Sequence, residues 1–361
     1  MVKKTVVIAA GGTGGHLFPA EALAQELAKR EYNIVMITDK RGDAFKSLGN
    51  NIKVETIKSA TFKSGLISKI KTLFMLKLGV IQSFLLFIKY RPSIVIGFGG
   101  YPSFPPVITA QILCLKNIIV EQNAVLGKAN ICLASLATRI ATTLENTKSV
   151  RDKDKKKIVV TGNPVRANIC DMRDKEYPEI SDTINILLTG GSQGAKVFSD
   201  IVPPVIIALS KKINKKIKIV QQCKSEDINK IRDEYKKANI EAQIDSFIYD
   251  MAEKLQQSHI FIGRSGAATV AELAVVGRPA IFVPLAVHKD YQQMYNAKII
   301  ADNGGAWIIE EKDFTESSLL EMLENLANNK DMLENAAIAS KRCGKPEAVI
   351  NLANLVERTI N

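Results

Sequence analysis

Short runs of β-branched, apolar residues recur along the chain with spacers of helical length between them, and this alternation leaves few folds open. A first series falls at residues 5–10, 33–37, 94–96, 117–120 and 158–160, and a second at 184–188, 217–221, 260–262 and 280–283. Strands joined through helices pair in parallel, because a parallel partner is reached only by a crossover. Two doubly wound α/β units in series are therefore expected, and 361 residues are more than one core usually organises. The boundary is placed at Gly162-Asn163-Pro164, where a proline turn follows a strand, giving domains 1–163 and 164–361. The last helix, about 346–359, is compatible with packing on either domain.

Apolar residues make up 46% and charged residues 24% of the chain, a balance that excludes a disordered or collagen-like polymer. The five cysteines are scattered, without a C-x-x-C pair, so neither a disulfide framework nor a zinc knuckle is expected. The opening Lys3-Lys4 and apolar run imitate a signal peptide, but glycines interrupt the run after Ala10, and a buried first strand explains it better.

Charge is unevenly spread. Residues 1–163 hold 24 Lys and Arg against 10 Asp and Glu, whereas the remainder holds 25 against 27. From Thr56 to Val120 no acidic residue occurs, so an anionic partner is expected for the first domain. Within that zone, residues 65–90 carry more apolar positions than one helix face needs, although Lys77 and Gln82 interrupt the run and leave it short of a membrane span. Two readings stand: a basic amphipathic element lying on an anionic membrane surface, or a buried helix pair with lysines reaching outward. The basic residues alternate with aliphatics rather than stacking aromatics, so nucleic acid is not an expected partner.

The chemistry lies in the turns that follow the strands. The first strand ends in Gly11-Gly12-Thr13-Gly14-Gly15-His16 before a helix, and the second half has Thr189-Gly190-Gly191-Ser192-Gln193-Gly194-Ala195 at the corresponding place. Glycines let the main chain approach an anion at a helix start. A dinucleotide fingerprint fails because Leu17 stands where its third glycine belongs. A third run, Gly263 to Glu272, ends on a carboxylate suited to a ribose diol, and Gln292-Gln293 offers amides suited to sugar hydroxyls.

Taken together, GGTGGHLFPA (11–20), GFGGYPS (97–103), EQN (121–123), GNPVR (162–166), GGSQGA (190–195), RSGAATVAE (264–272) and HKDYQQMYNA (288–297) resemble the bacterial glycosyltransferases of peptidoglycan synthesis. That family adds N-acetylglucosamine to undecaprenyl-pyrophosphoryl-N-acetylmuramyl-pentapeptide. The resemblance implies a GT-B fold, two Rossmann-like domains facing a central cleft. It implies that Arg166, Ser192, Ile248, Ala267, Ala268, Thr269, Val270, Ala271, Glu272, Gln292 and Gln293 serve UDP-N-acetylglucosamine, Ile248 through its main chain at the uracil. Thr13, Gly14, Gly15 and Asn123 are then expected near the transferred sugar, and Gly99, Gly100 and Tyr101 near the acceptor's pyrophosphate. Reaction with inversion calls for a base, for which His16 is favoured, with Glu121 as orienting group or alternative. Arg264 is expected either to assist the leaving group or to form a structural ion pair. No cofactor or metal is expected, since no D-x-D pair stands in a suitable place. The implied location is the cytoplasmic face of the cell membrane. Rival readings are another GT-B glycolipid synthase, a nucleotide-sugar epimerase and a non-catalytic nucleotide-sugar-binding regulator.

Overall fold

The computed structural model describes residues 3–39, 52–59, 65–191, 195–285 and 291–361, of which 66–70 are described by their backbone alone. Ser192 and the stretch His288-Lys289-Asp290 lie outside these residues. The chain divides into two compact units, Met1–Arg166 with Pro346–Asn361, and Ala167–Lys345.

In the first unit the described strands are β1 (Thr5–Ala9), β2 (Asn33–Thr38), β3 (Ile52–Thr56), β4 (Ile94–Gly97), β5 (Asn117–Glu121), β6 (Arg139–Thr142) and β7 (Ile158–Val160). They form one parallel sheet in the order β3-β2-β1-β4-β5-β6-β7. Strand alternation sorts the core into two layers. Val6, Ile8 and Ala10 face helix Gly14–Lys29 and the C-terminal helix Ala348–Ile360, while Val7 and Ala9 face the other side with Phe87, Val107 and Leu133. The last helix thus belongs to the first unit. Arg30 fastens it there, with Nη1 donating to Asn354 Oδ1 at 2.7 Å and to Glu357 Oε2 at 2.9 Å.

The second unit repeats the plan. Its described strands are β8 (Thr183–Thr189), β9 (Lys216–Gln222), β10 (Glu241–Asp245), β11 (Ile260–Gly263), β12 (Ala280–Phe282) and β13 (Ala306–Ile308), all parallel in the order β10-β9-β8-β11-β12-β13. Both sheets reverse direction of growth beside their first strand, at β1/β4 and β8/β11. In such sheets the helices leaving the two central strands go to opposite faces, and a crevice opens at the strand ends.

The stretch 65–90 is one helix, Leu66–Tyr90, rather than a helix pair. By length and composition alone, its portion from Lys71 to Tyr90 is sufficient to cross a membrane, so the sequence expectation that the run is too short is corrected. One side is nevertheless committed to its own unit: Thr72, Leu76, Ser83 and Phe87 are buried, Gln82 Oε1 accepts from the Lys58 amide at 2.7 Å, and Thr109 lies against the Val80 carbonyl. The opposite side exposes Leu73, Phe74, Ile81, Phe84, Leu85 and Ile88.

Two buried bases brace the second unit. Arg278 is 1% exposed, and its guanidinium donates to the carbonyls of Leu255, Gln256 and Gly277, closing the ends of helices Met251–Gln257 and Ala267–Val276. A cation there complements the helix dipoles, although burial brings its pKa down to about 10. His259 accepts from the Asn185 amide at Nδ1 (2.8 Å), while Nε2 faces the Glu179 carbonyl. A second ring proton would point at the Asn185 N–H. Burial pushes the imidazole below its ordinary range, and nearby Arg278 and Lys215 add to this. Below about pH 6.5 the unfolded chain therefore takes up a proton that the folded chain refuses. Stability is present above that pH and is lost as pH falls. A melting midpoint that drops between about pH 7 and pH 5, with a smaller drop in His259→Gln, is the expected outcome of thermal unfolding.

Candidate active site

Strand chemistry ends and helix chemistry begins at the same edge of each sheet. In the first unit, β1 passes through its glycine turn into helix Gly14–Lys29, and β4 passes through Phe98-Gly99 into helix Gly100–Ile112. In the second, β11 leads through Gly266 into helix Ala267–Val276. None of these three helices is capped by a side chain, which they share with most of the described helices, Thr315 and Asn329 being the caps of Glu316–Asn328 and Lys330–Arg342. An uncapped start leaves main-chain N–H groups and the positive end of the dipole to an incoming anion.

His16 lies in the first turn of the first helix. Its imidazole is seated on the main chain of Gly99 and Gly100, whose φ values of 78° and 70° are in the left-handed region. A Cβ on Gly99 would stand 3.4 Å from His16 Cε1, and one on Gly100 would stand 3.3 Å from Cδ2. Both glycines are thus favoured by the backbone, and a Cβ at Gly100 would crowd the ring as well. The turn predicted to meet the acceptor is thereby brought against the predicted base, with Tyr101 following in the next helix's first turn. Gln122 Oε1 lies 3.2 Å from His16 Nδ1.

Glu121 has a different task from the one expected. It is 2% exposed and accepts four hydrogen bonds, from Asn123 N (3.1 Å) and Nδ2 (3.0 Å) at Oε1, and from Gly127 N (2.8 Å) and Asn130 Nδ2 (2.9 Å) at Oε2. Each oxygen is occupied twice, so the carboxylate shapes the loop that carries Asn123 instead of orienting His16. The side chain that meets the His16 ring is that of Gln122, which lies inside the EQN motif and is not among the expected site residues.

Arg166 is the last residue of the first unit, and its guanidinium lies 4.1 Å above the Phe18 ring. Its charge partly offsets the burial that raises the pKa of Glu21. This places one residue predicted for the nucleotide beside the His16 helix.

In the second unit Gly263 lets β11 approach β8 so closely that a Cβ would collide with the Thr189 carbonyl oxygen. Ser265 Oγ donates to the Gln293 carbonyl at 2.7 Å, Asn296 Nδ2 donates to the Ser265 carbonyl, and Gln293 Oε1 accepts from the Leu285 amide at 2.9 Å. These bonds join the turn before Ala267 to helix Gln292–Ala301, so the predicted donor residues from Ala267 to Glu272 and Gln292-Gln293 form one neighbourhood. Ala267, Ala268, Thr269, Ala271 and Glu272 are partly exposed there, while Val270 is 3% exposed and sits in the core. Ile248 is buried between exposed Phe247 and Tyr249, whose rings meet edge to face. Arg264 turns inward: Nη1 pairs with Glu311 Oε2 at 2.7 Å and donates to the Val283 carbonyl, which makes it the structural ion-pair partner.

Two doubly wound parallel sheets with glycine-lined helix starts define a GT-B type of α/β protein. Residues 6–142 match the glycosyltransferase family 28 N-terminal domain, and residues 185–352 match its C-terminal domain. A UDP-N-acetylglucosamine–N-acetylmuramyl-(pentapeptide) pyrophosphoryl-undecaprenol N-acetylglucosamine transferase from Rhodospirillum centenum is 43% identical over 97% of this chain and 93% of its own length. The protein of the same name from Paramagnetospirillum magneticum is 41% identical over 98% and 96%. Among solved structures, Acinetobacter baumannii MurG superposes with a TM-score of 0.78 at 28% identity, covering 98% of this chain and 99% of that one. The chain belongs to this family of glycosyltransferases.

Removing the Glu121 carboxylate would take the acceptor from four N–H groups in a largely buried loop, of which Asn130 Nδ2 keeps the Val120 carbonyl. Glu121→Ala is expected to cost about 3 kcal/mol, since hydrogen bonds to a charged acceptor are worth roughly 1.5–3 kcal/mol each and water can re-satisfy some of the donors. Urea unfolding monitored by circular dichroism measures the loss.

Proposed function

We propose that this chain transfers N-acetylglucosamine from UDP-N-acetylglucosamine to the 4-hydroxyl of undecaprenyl-pyrophosphoryl-N-acetylmuramyl-pentapeptide. The observation that carries the reading is the seating of the His16 imidazole on Gly99-Gly100. It joins a titratable ring to two uncapped helix starts, as is needed where a hydroxyl must lose a proton beside a pyrophosphate.

His16 acts as the general base. The acceptor oxygen forms its bond to the anomeric carbon while the bond from that carbon to the UDP oxygen breaks on the opposite face. The proton passes to the imidazole, UDP carries away the electron pair, and the product is β-linked. Thr13, Gly14, Gly15 and Asn123 contact the transferred sugar, and Gly99, Gly100 and Tyr101 receive the acceptor's pyrophosphate. The second unit holds the donor: main-chain atoms of Ile248 meet the uracil, the start of helix Ala267–Val276 faces the diphosphate, Glu272 accepts from the ribose, and Gln292 and Gln293 serve the sugar with Ser192. Main-chain N–H groups supply the stabilisation of the departing diphosphate, with Arg166 assisting.

The reading also gives the helix Leu66–Tyr90 a purpose. Its exposed Leu73, Phe74, Ile81, Phe84, Leu85 and Ile88 form a stripe beside exposed Lys71 and Lys77, in the part of the chain that lacks acidic residues. Such a face lies in the headgroup layer of an anionic membrane, where the lipid-linked acceptor resides. The enzyme is then peripheral, on the cytoplasmic face of the cell membrane.

Incubating the protein with labelled UDP-N-acetylglucosamine and the lipid-linked muramyl acceptor tests donor, acceptor and reaction together; formation of the labelled lipid-linked disaccharide, at the same rate with a chelator, is expected. His16→Ala should lower kcat on the order of 10²–10⁴-fold with little change in donor KM. Glu272→Ala should instead raise donor Kd, read by calorimetry, by roughly tenfold, the worth of one hydrogen bond to a charged group. Each basic residue near an anionic surface contributes about 1 kcal/mol, so Lys71→Gln with Lys77→Gln should weaken partition onto anionic vesicles by roughly 30-fold at low salt. Flotation with vesicles at two ionic strengths reads this out.

A further inference from the structure

Gln122 is 2% exposed and follows the last residue of β5, where its side chain meets two partners of fixed chemistry. Nε2 donates to the Phe98 carbonyl at 3.0 Å. A carbonyl oxygen only accepts, so the amide cannot be turned around without setting two acceptors against each other. The atom facing His16 Nδ1 at 3.2 Å is therefore the amide oxygen. An amide oxygen also only accepts, so Nδ1 must carry the hydrogen and the lone pair is left on Nε2. The Gly99 position lies along the Cε1 and Nδ1 edge of the ring, and the Gly100 position along the Cδ2 and Nε2 edge.

We infer that Gln122 is a positioning residue, which holds His16 in the Nδ1–H tautomer through the Phe98 carbonyl and so makes Nε2 the proton-accepting atom. This rests on the reading of His16 as the base. A carboxylate at position 122 would also accept from Nδ1, but it would set a negative charge beside the place assigned to a pyrophosphate. A neutral amide fixes the tautomer without that repulsion. The neighbouring carboxylate of Glu121 is unavailable for the task, since its four hydrogen bonds hold the loop from Asn123 to Asn130.

The test uses the full chain labelled with ¹⁵N at histidine, at a pH where the ring is neutral, with His16→Ala identifying the His16 signals. Two-bond ring correlations distinguish a protonated from an unprotonated nitrogen. The wild type is expected to show a protonated Nδ1. Gln122→Met, which keeps length and apolar volume but removes both amide groups, is expected to move the proton wholly or partly to Nε2. Its kcat is expected to fall on the order of 10²-fold, with donor KM within about twofold, in line with the contribution of a general base. Gln122→Glu restores an acceptor at Nδ1 and is expected to return the Nδ1–H signal and part of the rate. A merely structural role would not move the tautomer and would not be rescued in this way. A protonated Nε2 in the wild type, or a Gln122→Met chain that keeps either its tautomer or its turnover, overturns the inference. Turnover of His16→Ala, measured alongside, reports on the base reading by itself: an undiminished rate there overturns that reading while the tautomer result stands on its own.

Discussion

A parallel sheet has to be covered on both faces, and that requirement organises this protein. Every connection must return across the sheet as a helix, and where the order of growth reverses the two helices leave on opposite sides. At β1/β4 and at β8/β11 the strand ends are then bordered by helix starts, with glycine wherever a side chain would block the approach. The first unit's His16 and the second unit's Ala267–Glu272 segment both stand at such reversals. The groups proposed for catalysis and binding thus stand where strand order places them, at ends that the topology has prepared.

Much of this was legible in the chain itself, because buried parallel strands need continuous apolar residues. The runs around Val7, Val35, Ile96, Ile119, Ile186, Ile219, Ile262 and Ile281 all became strands. Those passed over, β3, β6, β10 and β13, are short or carry polar side chains: β3 reads Ile-Lys-Val-Glu-Thr at one sheet edge and β10 reads Glu-Ala-Gln-Ile-Asp at another. An edge strand pairs on one side only and is wetted on the other, so its composition converges on that of a loop. The helix Leu66–Tyr90 shows the complementary ambiguity, for its apolar content comes from one stripe packed on the sheet and a second stripe left in solvent.

At the site, residue identity was easier to read than residue duty. His16, Gly99 and Gly100 announce themselves by type and position, yet the separation of Glu121 from Gln122 depends on which way each side chain leaves the end of β5. That direction is set by partners distant in sequence, the Phe98 carbonyl for Gln122 and the amides of Gly127 and Asn130 for Glu121. A carboxylate is the more conspicuous companion for a histidine, but its burial among four donors makes it architecture. An amide, which carries no charge and attracts little notice, controls the ring.

The return of the final helix to the first unit has consequences for how the protein comes into being. Leu352, Ala353 and Val356 complete the layer that covers Val6 and Ile8, and they follow the whole second unit along the sequence. Nascent chains ordinarily consolidate from the amino end forward. Here the second unit has its whole sequence available while the first still lacks part of its cover, so the earlier-made half has to wait on the ribosome with a hydrophobic face exposed. Deletion of residues 348–360 would accordingly injure the unit that lies farther from them along the chain.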